Sequence, residues 1–239
     1  MKKQFLFTVM LVFAALFTGQ NAFAEYCKTA ESVTRTAGDR YLTSFTMGDG
    51  TNTVSVTGLQ SSTYRGPCYF DKTASVLATS PGSIITPAVT WQGEWMHGYI
   101  WIDYNKNGTF EKDLEATGVP KVTSELVSYT FLELPNRNSK GLILGEGDLS
   151  YQLPGKLSEL PFKIPVNLTA GDYRARLVIA WASDNPCGPS NMGSTGGSMV
   201  DFTIRIAGTP VPSRTITLEA KPTIGGTVTG GGTEAGAIG

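Results

Sequence analysis

Between residues 25 and 207 no segment carries a convincing helical period, and apolar residues recur instead at alternate positions or in short runs. Such runs occur at 40–47, 52–58, 83–91, 97–103, 126–134, 160–167, 172–181 and 199–206. Gly, Pro, Asn and Ser punctuate the gaps, which predicts about eight strands joined by turns. The pattern is that of an all-β chain folded as an antiparallel β-sandwich of immunoglobulin or jelly-roll type. The alternation is clearest in 172–181. Tyr173, Ala175, Leu177, Ile179 and Trp181 fall on one face, and Arg174, Arg176 and Val178 on the other. Residues 135–159 exceed an ordinary hairpin connection, so they form an excursion loop or a small extra hairpin around Leu142–Leu144.

The two ends depart from this pattern. Lys2 and Lys3 precede an apolar run from Phe5 to Phe17 and the small-residue sequence "AFA" before Glu25. That order marks residues 1–24 as a cleavable secretory signal, too short in its apolar part for a membrane span. No later segment is apolar enough to span a bilayer, so the expected product is exported, either secreted or held at the cell surface. The domain expected over 25–207 is followed by a Pro-rich linker, 208–214. Residues 215–239 hold two short strand patterns, at 215–220 and 227–229, and read as a partial β module or a flexible tail.

Composition narrows the function classes. Without Lys2 and Lys3 the chain carries 17 basic and 20 acidic side chains, a net charge near −3, with no Lys/Arg cluster. Nucleic-acid binding therefore has no electrostatic footprint. Cys27, Cys68 and Cys187 allow one disulfide in an oxidising compartment with one thiol left over, and spacing does not select the pair.

The stretch 100–115, "IWIDYNKNGTFEKDLE", carries the candidate chemistry. Asp103, Asn105 and Asn107 place short oxygen-bearing side chains at alternate positions, and Gly108 lets the chain turn sharply. Oxygens so spaced can cup a hard cation, and calcium takes six to eight oxygen ligands. The predicted calcium set is Asp103, Asn105, Asn107, the carbonyl of Thr109, and Glu115 on the far side. Position twelve of a helix–loop–helix calcium loop would be Leu114, which cannot ligate, and the loop is entered from a strand. Only Asp103 and Glu115 are charged, so affinity on the order of 10⁻⁴ to 10⁻³ M is expected. The same residues also spell an Asx-rich hairpin turn, and spacing does not separate the two readings.

"YIWIDYNKNGTFEKDLE" resembles the "vWIDwNqDGdFedpgE" signature of the GEVED domain, a β-sandwich module of secreted and surface proteins in Bacteroidetes and related bacteria. "EYCKTA" at 25–30, "RYLTSFTMG" at 40–48, "YFDKT" at 69–73 and "GDYRARLVIAW" at 171–181 resemble further family segments in the same order. "GGSMVDF" stands where the family has its naming motif, and keeps Val200, Asp201 and an aromatic Phe202. The resemblance covers roughly 25–207. It implies an extracellular appendage joined to enzymes or further surface modules, with an adhesive or ligand-binding role.

Catalytic constellations are weak by comparison. His97 is the only histidine, and "GPSNMG" lacks the last Gly of a nucleophile elbow. A zinc site or a Cys–His dyad from Cys68 or Cys187 finds little support. Paired carboxylates for glycosidic chemistry could be drawn from Asp103, Glu111 and Asp113, but their close sequence spacing says nothing about facing geometry. Trp101 and Trp181 lie on strand patterns and are expected inside, whereas Trp91 and Trp95 flank a turn, where one could be exposed and stack on a sugar. The chain is thus expected to be a non-catalytic binding or adhesion module for an extracellular glycan or protein, with a structural calcium loop. The alternatives are a structural spacer in a larger surface protein or an accessory domain of a secreted hydrolase.

Overall fold

Two stacked sheets grow from strands that the alternation largely foretells. The computed structural model describes residues 26–132, 136–144, 153–181, 183–208, 214–215 and 235–236. The expected signal segment 1–24 and the strand expected at 227–229 lie outside these residues, as does nearly all of that at 215–220. In chain order the strands are β1 (Tyr41–Gly48), β2 (Thr53–Val56), β3 (Tyr69–Thr79), β4 (Ile84–Gln92) and β5 (His97–Ile102). They continue with β6 (Leu126–Tyr129), β7 (Phe162–Lys163), β8 (Gly171–Ala180) and β9 (Gly197–Ile206). One sheet has the order β2-β1-β4-β7 and the other β3-β9-β8-β5-β6. A short antiparallel pair, Arg214–Thr215 with Ala235–Gly236, lies apart in sequence from the sandwich strands.

The β-sandwich was expected and is found, with three differences. First, β3 is a strand that the alternation does not reveal, because a register shift between Asp71 and Val76 breaks its two-residue period. Second, β3 runs parallel to β9, so the five-stranded sheet is mixed rather than wholly antiparallel. Third, the run at 160–167 yields only the two residues of β7, an edge strand bracketed by Pro161 and Pro165. The excursion does contain the small hairpin, through bridges between Leu132 and Arg137 and between Arg137 and Ile143.

The main core fills the space between the sheets. Leu42, Phe45 and Met47 of β1 and Ile85 of β4 meet Leu177 and Ile179 of β8 and Phe202 of β9. The rings of Phe45 and Phe202 pack tilted, 5.2 Å apart. The other face of the five-stranded sheet is not solvated. Tyr99, Trp101, Val178, Ala180 and Met199 form a second core with Ala30, Cys68, Phe110 and Met192. The N-terminal segment and the loop after β5 cover that face, which is why all six residues of β5 are buried.

A disulfide joins Cys27 to Cys187, 160 residues away, and leaves Cys68 buried as a free thiol. Trp181, expected inside from the alternation, is 46% exposed, because β8 ends at Ala180 and the chain leaves the sheet there. Trp101 is buried as expected. Among the described residues no helix is long and apolar enough to cross a membrane.

Candidate functional site

β5 delivers its next residue, Asp103, into the protein interior, where the backbone N–H of Asp103 donates to the carbonyl of Arg174. The Asp103 carboxylate is fully buried. Its Oδ2 accepts from the backbone N–H of Gly108 at 3.0 Å and from the hydroxyl of Tyr26 at 2.5 Å. Its Oδ1 is buried without a hydrogen-bond partner. An unpaired buried carboxylate oxygen is costly, and a cation or a water is the usual relief.

The following residues curl around this group. The backbone N–H of Asn107 donates to Asn105 Oδ1, and both the backbone N–H and Oγ1 of Thr109 donate to Asn107 Oδ1. Lys106 and Gly108 take left-handed φ values of 59° and 82°. Two such residues on alternate positions bend the chain into a tight loop, the second where glycine meets no steric penalty.

Two acids close on the loop. Glu111 accepts from Asn105 Nδ2, Asn107 Nδ2 and Thr109 Oγ1, at 3.3, 2.8 and 3.3 Å. Glu125, only 2% exposed, accepts from the backbone N–H groups of Tyr104 and Asn105 through Oε1 and of Glu111 through Oε2. Burial pushes the Glu125 carboxyl up to about 7, opposed by the donated N–H bonds and reinforced by the charge of Asp103. Glu115 occupies a separate turn. Its N–H donates to Val119, its carbonyl accepts from Gly118, and its exposed side chain acts electrostatically on Lys121.

The structure therefore brings Asp103, Asn105, Asn107 and Thr109 together with Glu111 and Glu125. Glu125 escapes sequence reasoning because it arrives from the start of β6, 22 residues after Asp103 in sequence. Among the described residues no group of three or more His, Cys, Asp or Glu side chains converges as a metal set. A cation here would rely on amide and carbonyl oxygens beside its carboxylates, as the chemistry of calcium permits.

A buried ionic network lies behind the loop. Asp201 of β9 takes Arg176 Nε at 2.6 Å, Arg176 Nη2 at 2.9 Å and Arg174 Nη1 at 3.1 Å, and Tyr69 donates to it as well. Arg176 Nη1 also donates to the carbonyls of Cys27 and Pro186, so one guanidinium ties the disulfide segment to the sheet. The signal was present in sequence. Alternating Arg174 and Arg176 on one strand pair in register with Thr203 and Asp201 on the next.

The groups weighed for catalysis have other surroundings. His97 packs its ring 4.6 Å from that of Phe131, its Nδ1 has no partner, and burial lowers its pKa to about 4. Burial pushes the Cys68 thiol up to about 11, which leaves it un-ionised at neutral pH. No family model matches the chain, and no curated protein matches it.

Proposed function

We propose that residues 26–206 form a non-catalytic extracellular binding module whose loop at 103–111 holds a structural calcium ion. The buried, unpartnered Oδ1 of Asp103 is the observation that carries this reading. The bond from Gly108 N–H to Oδ2 fixes the same carboxylate, so Oδ1 alone is left for a ligand. Asp103, Asn105, Asn107 and the carbonyl of Thr109 would hold the ion with Glu111, while Glu115 is the acid that the sequence pattern offers. Bound calcium supplies charge neutralisation and a cross-link between loop and sheet. Glu125 acts beneath it, holding three backbone N–H groups in place.

The resemblance to GEVED domains and the disulfide both suit an exported surface module. A neutral, core-packed His97 and an un-ionised Cys68 favour a binding role over nucleophilic catalysis. The test is a thermal melt in EDTA and then in about 10 mM calcium. At the expected affinity, calcium adds about 1.5–3 kcal/mol, a shift of several degrees. Asp103→Ala is expected to abolish the shift. A wild-type midpoint that ignores calcium overturns the metal assignment.

A further inference from the structure

At the end of the sandwich opposite the cation loop, the sheet edge presents two indoles and a guanidinium. β5 and β8 pair as far as His97 with Ala180. Trp95 precedes that pair by two residues and Trp181 follows it by one, so both leave the sheet at the same end. They are 40% and 46% exposed, the only tryptophans among the large exposed apolar residues described.

Arg40 links them. Its guanidinium lies over the Trp181 ring at 5.1 Å, its Nε donates to the carbonyl of Glu94, and its Nη1 donates to that of Thr195. Two glycines form its seat. A Cβ on Gly93 would come within 2.6 Å of Arg40 Cγ, and one on Gly196 within 2.3 Å of Arg40 Cβ. The turn that presents Trp95 is strained, with a φ of 61° at a bulky residue. The chain thus holds a large apolar ring outward by an unfavourable backbone conformation.

We propose that Trp95, Arg40 and Trp181 form a saccharide-binding platform for pyranose units of an extracellular glycan. The inference rests on the binding-module reading and gives it a site and a ligand class. A pyranose has an apolar C–H face that an indole plane covers, and hydroxyls around its rim that need donors and acceptors. The platform has both. Arg40 stacks on the Trp181 ring and commits two of its five N–H donors to carbonyls, which leaves others for sugar oxygens. Gln92 and Glu94, both exposed, border the same turn with further polar groups. The exposed Gln92 and Glu94 beside the rings supply acceptors for sugar hydroxyls, and Glu is depleted at protein interfaces.

The test is affinity electrophoresis of the full chain through gels containing a soluble β-glucan, a xylan, a mannan or polygalacturonate. At least one polymer is expected to retard the wild type, with Trp95→Ala and Trp181→Ala each weakening retardation fivefold or more. Trp181→Phe should retain part of it. Retardation by none of the four, or equal retardation of wild type and both alanine variants, overturns the proposal. A second measurement on the wild type covers variants that fail to fold. The retarding polymer should protect tryptophan fluorescence from acrylamide, and unchanged quenching also overturns the platform. Removal of divalent cations with EDTA should leave wild-type retardation intact. Failure of the platform is thereby distinguished from failure of the cation loop, which the calcium melt reads at the far end of β5.

Discussion

Glu125 and His97 are buried groups whose ionisation the fold opposes, and their effects on stability run in opposite directions. The folded pKa of Glu125 is raised to about 7, so its contribution is greatest below its ordinary value near 4.5 and is lost as pH rises through 7. The folded pKa of His97 is lowered to about 4, so its contribution is present above 6.5 and is lost as pH falls through 4. Between about 4.5 and 6.5 the two slopes offset one another. In EDTA the wild type should therefore show a nearly flat stability over that range. His97→Phe should unmask a decline with rising pH, on the order of 1–3 kcal/mol by pH 7. Urea titrations at pH 4.5, 5.5, 6.5 and 7.5 would read this, and a flat profile in the variant would contradict the burial argument for Glu125. Arg176 is the other residue on which much depends. Arg176→Met leaves Asp201 in the interior without its two-point partner and should cost about 3–5 kcal/mol, measured by chemical denaturation.

At the scale of elements, β8 and β9 pair through ten residues and carry the five-stranded sheet, while β5 ties the sheet to both candidate sites. β5 owes its packing to Gly98. A Cβ there would stand 2.6 Å from Leu157 Cδ1, on the 3₁₀ helix Leu153–Glu159 that packs across the strand. Gly98→Ala should destabilise by about 1–3 kcal/mol through overpacking. Adding Leu157→Ala should then cost less than it does alone, because the two side chains contend for one space. Additive effects in the double variant would show that the helix does not press on β5.

Across the whole molecule, the N-terminal segment acts as a cover over the second core, and the disulfide holds it there. Tyr26, one residue before Cys27, reaches Asp103, and Arg176 reaches the Cys27 carbonyl. Cys27→Ser with Cys187→Ser should cost about 2–5 kcal/mol. It should also shrink the calcium-induced shift in midpoint, because the Tyr26 hydroxyl would no longer hold Asp103 Oδ2. A double-serine variant with an unchanged calcium response would uncouple the cover from the loop.

Period-two alternation and turn residues were enough to determine that this chain forms a sandwich, and the D-x-N-x-N-G spacing was enough to locate the oxygen-rich loop. Both are local patterns, and the physics that reads them acts over a few residues. What lay beyond sequence was whatever depends on two distant segments meeting. β3 was concealed because its register shift erases the alternation. The Cys27–Cys187 pair, Glu125 beneath the loop and Tyr26 against Asp103 are separated from their partners by 14 to 160 residues, so no local period records them. Trp181 kept its place in the alternation but lost its cover where β8 ends, since burial belongs to what packs on a strand and not to the strand itself.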